Sequence, residues 1–248
     1  EQAGDMAPLA AAVSVDLCAK AGSITMPDSA VVNIWGLALG TCLAAGPATV
    51  PGPAIDVTVG DTVTIHLENS LLEHVALQFP GQSLVPDTAG AAPGGTTGYT
   101  FTADRPGVFL YESGTNSSVQ TAMGLYGTVI VRPLLPGAAY EDASTAFDKE
   151  AVLVLGEIDP DLNNSVDPNT FDFLNYDPQY WLINGKAYPD TDPIVADAGE
   201  RVLLRYANAG LMNHTMNTLG FHGEVIGQEG NQLNFSYDAV ALTVASGQ

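Results

Sequence analysis

Imidazole and thiol side chains are the ones that most readily hold a metal or begin nucleophilic chemistry, and this chain carries few of them. It has four histidines, His66, His74, His214 and His222, and two cysteines, Cys18 and Cys42. A metal site built from imidazoles needs at least two rings placed together by their spacing. His66 sits in an alternating segment on the same side as Thr62, Thr64 and Glu68, which marks it as a surface residue. His74 shares a strand face with Gln78, but at about 3.3 Å per residue the two lie roughly 13 Å apart. The cysteines stand 24 positions apart on either side of a strand-like segment. They are read as a structural disulfide rather than a metal or redox thiol pair, which points to export. Closing that loop contributes about 3 kcal/mol by chain entropy.

Other reaction chemistries find little footing. The chain has no Gly-x-Ser-x-Gly elbow, no phosphate-cradling glycine loop, and no cysteine placed near a histidine in a strand-compatible pattern. Asp and Glu are plentiful, but the sequence does not say which converge. Asp159-Pro-Asp161-Leu-Asn163 has the start of a calcium loop, yet Asn164 stands where glycine is needed and Thr170 where the bidentate glutamate belongs. It is read as a turn. Asn116, Asn163, Asn213 and Asn234 fit Asn-x-Ser/Thr.

The elements that must position these groups are legible because one stretch occurs twice. IVADAGERVLLRYAN from Ile194 falls without a gap on IDVTVGDTVTIHLEN from Ile55, placing Gly199 on Gly60, Val202 on Val63 and Asn208 on Asn69. In the first copy Ile55, Val57 and Val59, then Val63, Ile65 and Leu67, alternate with polar residues. The second offers Ile194, Ala196 and Ala198, then Val202, Leu204 and Tyr206. Period two predicts half-buried strands, and the matching inward faces fix their register. The chain is therefore read as a tandem of two related units.

Composition limits the partners. Seven Lys+Arg against 28 Asp+Glu give a formal charge of −21, which disfavours nucleic acid and anionic membrane surfaces. No run of about 18 apolar residues is present, so no membrane span is expected. A chain of 248 residues buries roughly 70–75% of its unfolded surface, enough for two domains.

In chain order, strand-like pieces fall at Ala12–Leu17 and Val31–Leu39, before Pro51-Gly52-Pro53. After the repeated segment, Val75, Leu77 and Phe79 predict a strand, Leu84–Gly98 a loop, and Tyr99–Phe101 with Val108–Tyr111 a hairpin around Arg105-Pro106-Gly107. A polar loop at Ser113–Thr121, a strand at Thr128–Val131, a linker at Leu134–Lys149 and a strand at Ala151–Leu155 follow. Tyr237–Val244 is read as a strand and Ala245–Gln248 as the turn after it.

Several of these segments together resemble one family. PGPAIDVTVGDTVTIHLEN, YTFTADRPGVFLYESG, MGLYGTVIVRP, YWLINGKAYPDT and AGERVLLRYANAGLMNHT are similar, in this order, to the multicopper oxidases. The resemblance covers most of the chain from about Val50. It implies an all-β protein of two tandem cupredoxin-like Greek-key β-sandwiches, divided as domain 1 at 1–133, a linker at 134–149 and domain 2 at 150–248. It also implies copper, held by paired His-x-His motifs and by a Cys-x4-His-x4-Met centre.

This sequence departs from those motifs. Where the family resembles His-x-His-Gly, the chain reads Gln78-Phe79-Pro80-Gly81 and Asn217-Thr218-Leu219-Gly220; where it resembles Tyr-His-Ser-His, it reads Tyr111-Glu112-Ser113-Gly114. The blue-copper positions are Ser113, Ser118, Met123 and Val75, so Met123 alone survives and is read as core packing. His214 matches the first histidine of His-Pro-x-His-x-His-Gly, and His222 lies just beyond the glycine. By the repeat, the cysteine that would complete a site for His214 falls past Gln248. His214, His222 and Met123 are therefore weak metal candidates, and no catalytic or cofactor-binding residue is assigned.

The second unit is expected to lack its last strands, having no equivalent of Gly98–Pro133. That leaves strand edges to be paired by continuation into further cupredoxin domains or by self-association, for which the arm Glu1–Ala12 is a candidate. Two functions follow. The first is an exported, extracellular or periplasmic protein without a complete copper site, non-enzymatic as a chain, serving as a structural or assembly subunit or as the non-catalytic part of a larger oxidase. The alternative is a copper-dependent oxidoreductase whose ligands lie in sequence or subunits outside this chain.

Overall fold

The structure, a computed structural model, describes residues 10–248. The proposed N-terminal arm, up to Leu9, lies outside the described residues. The first copy of the repeat contains β1 (Ala12–Thr25), β2 (Val31–Leu39), β3 (Ile55–Thr58), β4 (Thr62–Asn69), β5 (Leu77–Gln78), β6 (Thr96–Thr102), β7 (Gly107–Ser113), α1 (Ser117–Met123) and β8 (Tyr126–Arg132). One sheet runs β2-β1-β4-β6 and the facing sheet runs β3-β8-β7-β5. Val63, Ile65 and Leu67 on β4 are fully buried against Phe79, Phe109, Tyr111, Val129 and Val131. Each such side chain contributes about 1.5–3 kcal/mol by leaving water.

The turn that launches β4 shows why the repeat is so recognisable. Gly60 and Gly199 both take φ of +94°, a conformation costly for any residue with a Cβ. Asp61 then fixes the first turn, its carboxylate accepting from the amides of Ala11 at 2.8 Å and Thr58 at 2.9 Å. Cys18 on β1 is disulfide-bonded to Cys42.

Several sequence expectations need correction here. The segments at Tyr99–Phe101 and Val108–Tyr111 are not a hairpin, because β6 pairs with β4 and β7 pairs with β8. Arg105-Pro106-Gly107 is a corner between sheets, as a sandwich requires where consecutive strands change layers. The polar loop at Ser113–Thr121 contains α1, which buries Val119 and Met123 and ends at Gly124 in the left-handed region. Its seven residues make about two turns, too short for a helical period to register. The strand expected over Val75–Phe79 shrinks to Leu77–Gln78, Val75 making only an isolated bridge to Ala91.

The remaining elements are β9 (Lys149–Ile158), α2 (Pro160–Asn163), β10 (Tyr180–Ile183), β11 (Lys186–Ala187), β12 (Val202–Asn208), β13 (His214–Asn217), β14 (Gly223–Gln228), β15 (Asn231–Ala239) and β16 (Ala241–Val244). The order β11-β10-β9-β12 repeats the start of the first copy: β9 is parallel to β12 as β1 is to β4, and antiparallel to β10 as β1 is to β2. Beyond this point the copies part. β14 pairs with β15 and β13 with β16, so β12 ends its sheet where β4 continues to β6. The segment Tyr237–Val244 is two strands joined at Val240 rather than one.

Ile194–Ala198 forms no strand, although its first-copy counterpart is β3. In the first copy β3 is held by β8, and the described residues contain no second-copy counterpart of β7 or β8. Without that partner the alternating segment has no ladder to join, and Ile194 and Val195 stay exposed. The second sandwich is thus incomplete among the described residues.

Candidate functional site

The first-copy positions that resemble metal-ligand motifs lie at the end of the β5–β7 pair. Register sets Gln78 opposite Glu112, and the Gln78 amide donates to Glu112 Oε1 at 3.0 Å. Burial pushes the Glu112 carboxyl above its ordinary range, while that hydrogen bond pulls it back. One residue on, Ser113 is fully buried. Its hydroxyl donates to Gln120 Oε1 at 2.6 Å, and Gln120 Nε2 donates to the His74 carbonyl at 2.9 Å and to Glu73 Oε2 at 3.1 Å. The His74 ring is engaged elsewhere, its Nδ1 lying 3.1 Å from the Ala89 carbonyl.

Met123 is 1% exposed and packs with Val119 and Leu162. Val75 is in the first sandwich core, whereas Ser118 is exposed on α1. Ser113, Ser118, Met123 and Val75 are therefore not arranged as one donor set. His66 is exposed on β4, as its neighbours implied.

In the second copy, β13 carries His214 to a buried carboxylate. His214 Nε2 lies 3.0 Å from Glu157 Oε2, and Glu157 Oε1 accepts from the Met212 amide at 2.6 Å. The Glu157 side chain has no exposed surface and that of His214 only 12%. The backbone at Gly210 packs so closely on the carboxylate that a Cβ there would collide with it. Burial and then the Glu157 charge raise the Tyr126 phenol well above its usual range, and the same two causes lead for Tyr176. A buried charge held by an amide and an imidazole is what low dielectric demands. Such a dyad orients a ring. Among the described residues, however, no serine, threonine or cysteine is hydrogen-bonded to the other ring nitrogen, so an acyl-transfer triad is incomplete.

His222 is exposed just before β14 and lines a cleft beside β12. Among the described residues, no three His, Cys, Asp or Glu side chains come together as a metal-binding group. Copper favours imidazole and thiolate donors. The matching positions here hold a mutually bonded amide and carboxylate, a saturated serine and a packed thioether, so they do not fit the copper centres that the motifs imply.

Sequence reasoning missed Glu157, the partner that gives His214 its setting. A signal existed: Glu157 interrupts the apolar run AVLVLGEI, and a carboxylate inside such a strand must find a partner. It also missed Gln120, buried in a segment read as a loop. The Asp159 stretch is a turn into α2, Asp159 Oδ1 accepting from the Asp161 amide at 2.9 Å.

Comparisons with known proteins point one way. The profile described as multicopper oxidase matches residues 47–135. An L-ascorbate oxidase of Cucurbita maxima is 39% identical over 94 residues, covering 34% of this chain and 16% of that protein. Multicopper oxidase MmcO of Mycobacterium tuberculosis is 27% identical over 212 residues, covering 74% of this chain and 41% of its own length. The chain spans less than half the length of the curated relatives it matches. Among solved structures, a blue copper oxidase from Nitrosomonas europaea superposes with a TM-score of 0.82 at 22% identity, covering 96% of this chain and 73% of the other. A copper nitrite reductase from Nitrosomonas europaea gives 0.74 at 27% identity, covering 95% and 81%.

Proposed function

We propose that the chain, whose residues 47–135 match the multicopper oxidase profile, is an exported, non-catalytic cupredoxin tandem. Its role is structural: an assembly subunit, or the non-catalytic part of a larger oxidase. The observation that carries this reading is the Gln78–Glu112 pair, an amide and a carboxylate bonded to each other at 3.0 Å where the family's motifs place imidazoles. Export is supported by the Cys18–Cys42 disulfide. The reading divides the chain into domains at 1–133 and 150–248 with 134–149 between them. It also has the unpaired β12 edge met by further cupredoxin sequence or by another copy.

Metal analysis of the purified protein, with a scan for the blue charge-transfer band, tests this directly. Metal-free, colourless protein that self-associates in light scattering is the expected result. Stoichiometric copper held by this chain overturns it.

A second reading has its own support in His214. That residue occupies the position of the family's first blue-copper histidine and keeps a ring oriented by Glu157. On this reading the protein is a copper-dependent oxidoreductase whose other ligands come from sequence or subunits beyond these residues. Copper that appears only when a partner is added favours it.

A further inference from the structure

The two sheets of the first sandwich end in four outer strands, β2, β6, β3 and β5, and three of these edges are protected. On β2 the Asn33 amide donates to Asn164 Oδ1 at 3.0 Å, the Asn33 carbonyl accepts from Asn163 Nδ2 at 2.9 Å, and Leu37 bridges Thr49. β5 is only two residues long. On β3 Asp56 carries a charge held by Arg132, and the Thr58 amide is taken by the Asp61 carboxylate. Cover, short length and charge are the means by which sheets keep their edges from pairing with other chains.

β6 has none of them. It is seven residues, TTGYTFT, without a charge or a proline. Its register sets Thr97, Tyr99 and Phe101 opposite Leu67, Ile65 and Val63, in series with the flanking bonds from the Asn69 amide to the Gly95 carbonyl at 3.0 Å and from the Ala103 amide to the Asp61 carbonyl at 2.9 Å. In an antiparallel ladder the alternate residues point both backbone groups the other way. Thr96, Gly98, Thr100 and Thr102 therefore turn their N–H and C=O to the open side, where no described residue outside β6 bonds to them. All four residues are exposed.

Charge singles out the same edge. Two copies of a chain of net charge −21 repel over most of their surfaces, but β6 and its outer-face neighbours Thr62 and Thr64 on β4 are uncharged. A two-fold axis at Tyr99 sets Gly98 opposite Thr100 and Thr96 opposite Thr102, so outward groups meet outward groups. Tyr99 and Phe101 then stay on the core side in both copies. Asp104 falls opposite Gly94 rather than opposite another acid.

We propose that β6 pairs antiparallel with β6 of a second copy, joining two β2-β1-β4-β6 sheets into one continuous sheet. This edge belongs to the complete sandwich and is distinct from the β12 edge. The inference goes beyond the subunit role and does not need it.

Sedimentation velocity on the purified protein from about 1 to 500 μM, with hydrogen exchange of the β6 amides, tests the pairing. A monomer–dimer equilibrium is expected, with the Gly98 and Thr100 amides protected only in the dimer. Thr100→Pro removes an N–H that is unpaired in the monomer. It is expected to weaken the dimer about tenfold or more while leaving the monomer's unfolding midpoint unchanged. The register has its own test. Thr96→Lys with Thr102→Lys sets like charges opposite each other and is expected to abolish the dimer, whereas Thr96→Lys with Thr102→Glu is expected to restore it. A dimer indifferent to Thr100→Pro and to the lysine pair overturns the proposal and leaves self-association to the β12 edge. Protection of the β6 amides that does not vary with concentration, as an arm of the same chain would give, overturns it, and so does a chain that stays monomeric throughout. Copper content judges the non-catalytic role separately from each of these results.

Discussion

Val63, Ile65 and Leu67 on β4 and Val202, Leu204 and Tyr206 on β12 occupy matching places in the repeat, yet they live in different surroundings. The first three are fully buried between two sheets, whereas Val202 is 37% exposed and Leu204 and Tyr206 are half-buried beside a cleft. On the opposite faces the order reverses. His66 is exposed, while Arg205 and Ala207 are buried, because the outer face of β12 packs toward Leu110 and Tyr126 of the first copy. Alternation in a strand therefore specifies two faces but not which is covered. The covering sheet decides that, and β3, β7 and β8 have no second-copy equivalents among the described residues.

The largest expected effect tests this contrast at matched positions. Ile65→Ala removes a fully buried side chain and is expected to cost about 2–5 kcal/mol in denaturant unfolding. Leu204→Ala, where the side chain is only half-covered, is expected to cost about 1 kcal/mol or less. Equal losses would mean that the second face is covered in solution, and the contrast would collapse.

Next in size is the ionic cluster that joins the copies. Glu150 accepts from Arg132 and Arg205, and Arg132 also holds Asp56. Burial works to raise the Glu150 carboxyl, but the hydrogen bonds from Arg132 and Arg205 outweigh it and hold it below its ordinary range. A depressed carboxyl stabilises the fold above its unfolded pKa, and that contribution is lost as pH falls through the folded value. Glu150→Gln is expected to cost about 2–3 kcal/mol at neutral pH, less than a fully buried pair because Arg132 retains Asp56. An unfolding midpoint unmoved by the substitution would show that the cluster is not what fixes β12 against the first copy.

The comparison also separates what was legible in the residues from what was not. The strands on both sides of Gly60 and the one after Gly199 were legible because period two and a turn glycine are local properties, whereas the same period at Ile194–Ala198 misled, because a strand also needs a partner. Sheet membership was not: nothing in Tyr99–Phe101 and Val108–Tyr111 says that their partners lie in opposite layers, since a corner and a hairpin use the same turn residues. That Gln78 and Glu112 stand where the resembling motifs carry imidazoles could be read directly, but their bond to each other could not, because register across β5 and β7 depends on the folded sheet. The His214–Glu157 contact spans 57 residues, and its single local sign was a carboxylate within an apolar strand.

One feature does not differ between the copies, and it sharpens the contrast from the other side. Asn69 Nδ2 donates to the carbonyls of Glu73 at 2.5 Å and Ala91 at 2.9 Å, while its Oδ1 accepts from Leu71. Asn208 does the same with Met212 at 2.8 Å, Val244 at 3.1 Å and Gly210. Asn69→Ala and Asn208→Ala each remove three hydrogen bonds, at least one of them buried, and are expected to cost similar amounts, about 1–3 kcal/mol. A markedly smaller loss for Asn208→Ala in thermal unfolding would mean that the second copy is loose throughout, rather than only on its uncovered face.

The smallest expected effect belongs to Glu112 and concerns pH alone. Its carboxyl is raised by burial, so the folded state holds the proton more tightly than the unfolded chain, whose value is about 4.3. Stability from this group is fully present below that unfolded value and is lost as pH rises through the folded one. Glu150 titrates with the opposite sign, so the two can be told apart. Glu112→Gln keeps an amide beside Gln78 and removes the titration. The substituted protein is therefore expected to gain on the original as pH rises from about 4 to 7, followed by denaturant midpoints at each pH. Parallel profiles would place Glu112 in water, leaving the Gln78 position free to turn outward, and the bonded pair could no longer carry the proposed non-catalytic role.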